Sequence, residues 1–129
     1  SISELDHIFI PIKTQDAHFV LGFIDLVHEA TYVFDSLGSN RPALAYQLYR
    51  LMRELLGMDE ERWRRTDWSW TTTNLGWVPI QPNSCDCGLY VCLMSSVLAV
   101  NQGLHHIRRD AANDYRLRMA HEILNNETR

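Results

Sequence analysis

Gln81-Pro82-Asn83-Ser84-Cys85-Asp86-Cys87-Gly88-Leu89-Tyr90-Val91-Cys92 is the stretch from which the rest of the chain can be read. A polar, proline-broken loop runs straight into a long apolar segment, and Cys87 stands where the loop becomes helix. The first N–H groups of a helix have no internal acceptor and the helix dipole is positive there, so a thiolate is favoured over a thiol at that position. Gly88 has no side chain and leaves room for another chain to come close. The bland alternative is a buried structural cysteine, the usual state of a free one.

Downstream, the helix from about Cys87 to Gln102 is apolar nearly all round, which marks it as buried and central. Gly103 ends it. A last amphipathic helix is expected over Arg108–Asn125, with Ala112, Tyr115, Met119, Ile123 and Leu124 on its inner side. Upstream, Pro42 in a first turn, Ser39 or Asn40 as cap and Gly57 beyond the end delimit a helix. Its Leu44, Leu48, Leu51, Met52, Leu55 and Leu56 share one face. Met58–Arg65 reads as a short charged helix, and Thr66–Gly76 as a loop holding Trp68 and Trp70. Four strands are expected at Ile8–Ile12, His18–Asp25, Thr31–Phe34 and Trp77–Ile80. His18–Asp25 is almost continuously apolar, as in a strand covered on both faces. The fold class is therefore α+β: a small mixed or antiparallel sheet packed on helices, with the Cys87 helix central.

The chain has 129 residues, 46% of them apolar, enough for one domain (1–129) with one core. Its net charge of −4 does not suggest a nucleic-acid binder. No apolar run approaches a membrane span, and the first residues lack the layout of a signal peptide. Three cysteines crowd into Cys85–Cys92, which is no disulfide framework and fits a reducing compartment, nuclear or cytoplasmic. Their spacing matches no usual zinc ligand pair.

A cysteine nucleophile needs a base, and the base needs a partner that fixes its orientation. Thr31–Phe34 follows His18–Asp25 so closely that the two should form an antiparallel hairpin. His18 and Asp35 then fall at the same open end, within about two positions of register. Asp35 would bond one ring nitrogen and leave the other for Cys87. Gln81 and the Cys87 N–H could supply donors to an oxyanion. Each residue also has an ordinary reading: a strand-end histidine is usually structural, Asp35 before Ser36 and Gly38 could begin a turn, and Gln81 could be a plain loop residue.

Taken together, His18-Phe-Val-Leu-Gly-Phe-Ile-Asp25, Tyr32-Val-Phe-Asp35-Ser-Leu37 and Gln81-Pro-Asn-Ser-Cys-Asp-Cys87-Gly88 resemble the ubiquitin-like-protein proteases of the Ulp/sentrin-protease family, adenain-like cysteine peptidases. That family reads His-Trp…Ile-Asp, Tyr-Asp-Ser-Leu and Gln-x-Asn-x-x-Asp-Cys-Gly in this order. The resemblance implies a catalytic domain with His18, Asp35 and Cys87 as triad and Gln81 as oxyanion donor. It implies cleavage after the Gly-Gly terminus of a SUMO-like or other ubiquitin-like modifier, with no metal or organic cofactor. Phe19 stands where the family has a slot-lining Trp, so Phe19 and Gly88 would flank the substrate's narrow tail. The family also carries a helical segment with its own strand and another slot-lining aromatic ahead of the first motif. Only a short stretch precedes His18 here. The expectation is that the chain is a fragment, that a second chain supplies this segment, or that the segment is absent and the slot open on one side, with Trp68, Trp70 and Trp77 as candidate replacements for part of the wall. A non-catalytic module that binds a ubiquitin-like protein or a partner chain is the alternative reading, and acetyl transfer by a related His–acid–Cys set is disfavoured.

Overall fold

The computed structural model describes residues 1–71, 78–108 and 110–125. Strand β1 (His7–Lys13), β2 (Phe19–Asp25) and β3 (Ala30–Phe34) form an antiparallel meander, and a two-residue β4 (Ser69–Trp70) adds to β3 in parallel. The sheet order is β1-β2-β3-β4. Among the described residues four α-helices accompany it: α1 (Pro42–Leu55), α2 (Glu60–Arg64), α3 (Cys87–Ala99) and α4 (Ala111–Leu124). Among the described residues no helix is long and apolar enough to cross a membrane.

The unbroken apolar run of β2 has its explanation in the layering. One face packs under α3, where Leu21, Phe23 and Phe34 join Tyr90, Val91, Met94, Leu104 and Ala112 in one core cluster. The other face carries Ile24 into a second cluster with Met52, Trp63 and Trp68 under α1 and α2. A strand clad on both sides has no polar face to alternate. Each fully buried aliphatic side chain contributes about 1.5–3 kcal/mol of transfer free energy, so these two clusters carry the hydrophobic stability of the domain. α1 comes close to β2 at Gly22. A methyl group there would stand 3.0 Å from both Leu48 Cδ1 and Ile12 Cδ1, and 3.3 Å from the carbonyl of Ile10.

Several expectations are corrected. Val78–Ile80 form no strand: Val78 is buried in the α3 cluster, Pro79 has no N–H to give a ladder, and Ile80 is exposed. Trp77 lies outside the described residues. The fourth strand comes instead from the segment expected to be a loop. There Ser69 N donates to Glu29 O and Thr71 N to Thr31 O. A two-residue strand is too short to leave a period in sequence. Neither Ser39 nor Asn40 caps α1; Arg41 holds the cap position and its side chain is committed elsewhere. The buried stripe of α1 is the narrower set Ala45, Leu48 and Met52, while Leu51 and Leu55 are exposed. On α4, Ala112 is buried but Ile123 and Leu124 are 66% and 84% exposed, because the C-terminal half of the helix runs past the core.

Candidate active site

The β2–β3 register pairs Leu21 with Phe34 and Gly22 with Val33. Continued by one step, it sets Asp35 opposite Val20, two positions from His18. The backbone before β2 makes up that offset. Thr14 N donates to the His18 carbonyl at 2.7 Å, Thr14 Oγ1 lies 3.0 Å from the same oxygen, and Ala17 takes φ 59° to close the turn. His18 Nε2 then lies 2.7 Å from Asp35 Oδ1. With Nε2 committed to the carboxylate, Nδ1 is the nitrogen left for another partner.

Asp35 is held on every side. Its side chain is 0% exposed. Oδ1 also accepts from Leu37 N at 2.9 Å, and Oδ2 accepts from Arg41 Nε at 3.0 Å and Nη2 at 2.9 Å. A buried carboxylate is tolerable only with this degree of pairing. Nearby Asp16 accepts from the Thr14 hydroxyl, which is the leading reason its carboxyl sits below the usual carboxylate range.

The loop before α3 is fastened to the same place. Gln81 N donates to Ser36 O at 2.7 Å, and Ser36 Oγ donates to Gln81 Oε1 at 2.5 Å, so Gln81 is docked against the residue next to Asp35. Gln81 Nε2 donates to Asn83 O at 2.6 Å. A primary amide has two N–H groups, and the second remains for another acceptor. Asn83 Oδ1 receives Cys85 N and Asp86 N, each at 3.0 Å, which bends the chain into the start of α3. Asn83 Nδ2 donates to Asp86 Oδ2 at 2.8 Å, and Asp86 Oδ1 pairs with Arg116 of α4. Cys87 follows as the first residue of α3, half-buried, where its N–H has no intrahelical acceptor. A methyl group on Gly88 would meet nothing within 4 Å, so the approach beside Cys87 is open. Phe19 is 37% exposed at the start of β2.

His18 and Asp35 are thus in direct contact, and Gln81 is bonded to the residue beside them. Trp68 and Trp70 are not part of this end. Trp68 is stacked on Trp63 in the α1–α2 cluster, Trp70 leans on Tyr46, and both sit by the Ala30–Thr31 end of β3, opposite Asp35. Trp63 and Trp68 went to the core because nothing else in so small a domain buries as much area.

The C-terminal catalytic domain of the Ulp1 protease family, as a family profile, matches residues 1–128. The chain belongs to the Ulp1 protease family. "Ubiquitin-like-specific protease 1" of Saccharomyces cerevisiae is 29% identical to this family member over 123 residues, which cover 95% of the chain and 19% of the relative. The solved structure of the SUMO protease Ulp1 with its catalytic cysteine oxidised to a sulfonic acid superposes with a TM-score of 0.76 at 28% identity. It covers 98% of this chain and 56% of that one. The C-terminal Ulp1 protease domain in complex with Smt3, the yeast orthologue of SUMO, gives 0.75 at 28% identity with the same coverage. The Ulp1-like SUMO protease catalytic domain of Chaetomium thermophilum, 22% identical, shares the fold at a TM-score of 0.71 over 88% of this chain and 43% of that one. The chain therefore spans about half the length of the solved Ulp1-family chains it matches.

Two residues of the site escaped the sequence reading, Arg41 and Arg116, while Ser36, Asn83 and Asp86 were matched as motif positions without a role. Asn83 and Asp86 lie inside the quoted stretch, and an Asn three residues before an Asp at a loop-to-helix junction is a recognisable turn pattern. Ser36 carried the ordinary reading of a turn residue. Arg41 and Arg116 gave no signal, since an arginine's reach across the fold leaves no trace in periodicity.

Proposed function

We propose that this Ulp1-family chain is a cysteine protease that cleaves after the C-terminal glycine of a SUMO-like modifier. The observation that carries the proposal is the 2.7 Å contact between His18 Nε2 and Asp35 Oδ1, joined through Ser36 and Gln81 to the loop that delivers Cys87. In this reading His18 takes the Cys87 proton and the thiolate attacks the glycine carbonyl. The oxyanion is met by the Cys87 N–H and the second N–H of Gln81. His18 then returns the proton to the leaving lysine amine, and the acyl-enzyme remains. Water, deprotonated by His18, releases the modifier's carboxylate and restores the thiol. Asp35 keeps the ring in register throughout. The open approach at Gly88 and the exposed ring of Phe19 suit a tail of glycines, which alone has no side chains to exclude. The SUMO complex of the Ulp1 domain supports the modifier class.

A SUMO-type modifier ending in an electrophilic warhead tests this directly. It is expected to form a covalent adduct at Cys87, found by intact mass and lost entirely in Cys87→Ser. A folded chain that binds the modifier reversibly yet never forms the adduct would make it a binding module instead.

A further inference from the structure

We propose that Arg41 is a positioning residue for this site: it holds the outer oxygen of Asp35 and thereby aims the His18 imidazole. The inference rests on the catalytic reading above. Asp35 presents two oxygens in a place from which water is excluded, its side chain being 0% exposed. Oδ1 is shared between His18 Nε2 (2.7 Å) and Leu37 N (2.9 Å). Oδ2 is met by Arg41, through Nε at 3.0 Å and Nη2 at 2.9 Å. Two guanidinium nitrogens on one oxygen fix the carboxylate plane as a single bond cannot. Without them Oδ2 is a buried unpaired acceptor, and the carboxylate turns about its Cβ–Cγ bond to find another donor. The direction of the Oδ1 bond to His18 is lost with that turn.

The backbone frees Arg41 for the task. It occupies the cap position of α1 with φ −128° and ψ 61° and makes no side-chain cap bond. Pro42 follows, so the first helical residue has no N–H that requires one. The Arg41 side chain is 25% exposed, buried enough for the pair to be more than a surface contact. Lys13 and Asp16 line the same hollow as Arg41, and the Arg41 charge acts on Asp16 as well. Asp16 takes the Thr14 hydroxyl, Asp86 is held by Arg116 and Asn83, and Cys87 is the nucleophile of the reading above. Because Arg41 balances the charge of Asp35, the carboxylate's contribution to His18 is orientation more than stored charge. Arg41 touches no reacting atom, so its effect must appear in turnover and not in substrate affinity.

The test uses hydrolysis of a SUMO-type modifier carrying a C-terminal fluorogenic amide, together with the hydrogen-bonded Nε2–H proton resonance of His18. In Arg41→Gln, kcat is expected to fall about tenfold to a hundredfold, the usual cost of a slightly misplaced catalytic group. KM should stay within about twofold, and the His18 resonance should broaden away. Arg41→Lys, which keeps the charge and one bond, should recover part of kcat and the resonance; it also serves if Arg41→Gln does not fold. Unchanged kcat and an unchanged resonance in Arg41→Gln, with only a lower melting temperature, would make Arg41 a structural ion pair and overturn the proposal. An intact parent chain inert to the warhead modifier would overturn the catalytic reading itself, whatever Arg41 does to the resonance.

Discussion

His18→Ala is expected to slow adduct formation at Cys87 by about a thousandfold while leaving the domain folded. In the proposed reading the imidazole takes the thiol proton, so removing it removes the base on which that reading depends. The fold loses some stability but holds, because Asp35 keeps its bonds to Leu37 N and Arg41. His18 sits at the sheet's end, outside both core clusters, and its main structural bonds run from its backbone carbonyl to Thr14. Asp35→Asn should cost about as much for a different reason: an amide that donates where a carboxylate accepted turns the ring into the wrong tautomer. Unlike His18→Ala, it also leaves Arg41 facing a neutral group, so its melting temperature should drop as well. The rate is read by intact mass against time and the fold by far-UV circular dichroism. A His18→Ala chain that labels within tenfold of the parent would sink the assignment of the base.

Gly22→Val is expected to destabilise the domain by about 2–3 kcal/mol, measured as a lowered urea midpoint with unchanged slope. Gly22 lies in mid-β2, where a glycine is otherwise a poor choice. Even a Cβ at this position stands 3.0 Å from Ile12 Cδ1 and Leu48 Cδ1. Those methyl ends can rotate away, but the Ile10 carbonyl at 3.3 Å is backbone and cannot. A valine adds two more methyl groups to that space, forcing α1 off the sheet. Gly22→Ala should cost less, about 1 kcal/mol, because the two flexible ends can give way. A Gly22→Val chain as stable as the parent would mean that α1 is not held against β2 at Leu48.

How much of this the sequence disclosed depends on the range of the force concerned. The β2–β3 hairpin and the place of Cys87 at the start of α3 were legible, because apolar runs and loop-to-helix punctuation are local. The meeting of His18 with Asp35 followed from hairpin arithmetic, and the turn at Ala17 supplied the rest. β4 was not legible: Ser69 and Trp70 are strand only because Glu29 and Thr31 offer carbonyls, a matter of tertiary placement. The indole rings misled for a similar reason. Trp68 has the chemistry of a binding wall, yet the vacancy beside Trp63 and Met52 took it. Ile123 and Leu124 follow the amphipathic period of α4 faithfully, but the period says which face is apolar and not how far along the helix the core extends.

The bond from Arg116 to Asp86 has a consequence for the order in which the molecule becomes dangerous. The residue just ahead of Cys87 is braced by a helix that leaves the ribosome after it, so the half-made polypeptide holds this loop by its Ser36 and Asn83 bonds without the Arg116 brace. In the proposed reading, reactivity at Cys87 is withheld until α4 has packed back onto this loop. Arg116→Ala should mimic that unfinished condition, with reactivity at Cys87 reduced about tenfold and the melting temperature nearly unmoved, since half of the arginine side chain is in solvent. A variant as reactive as the parent would mean that the loop aims itself, and that the newborn chain is armed before its synthesis is complete.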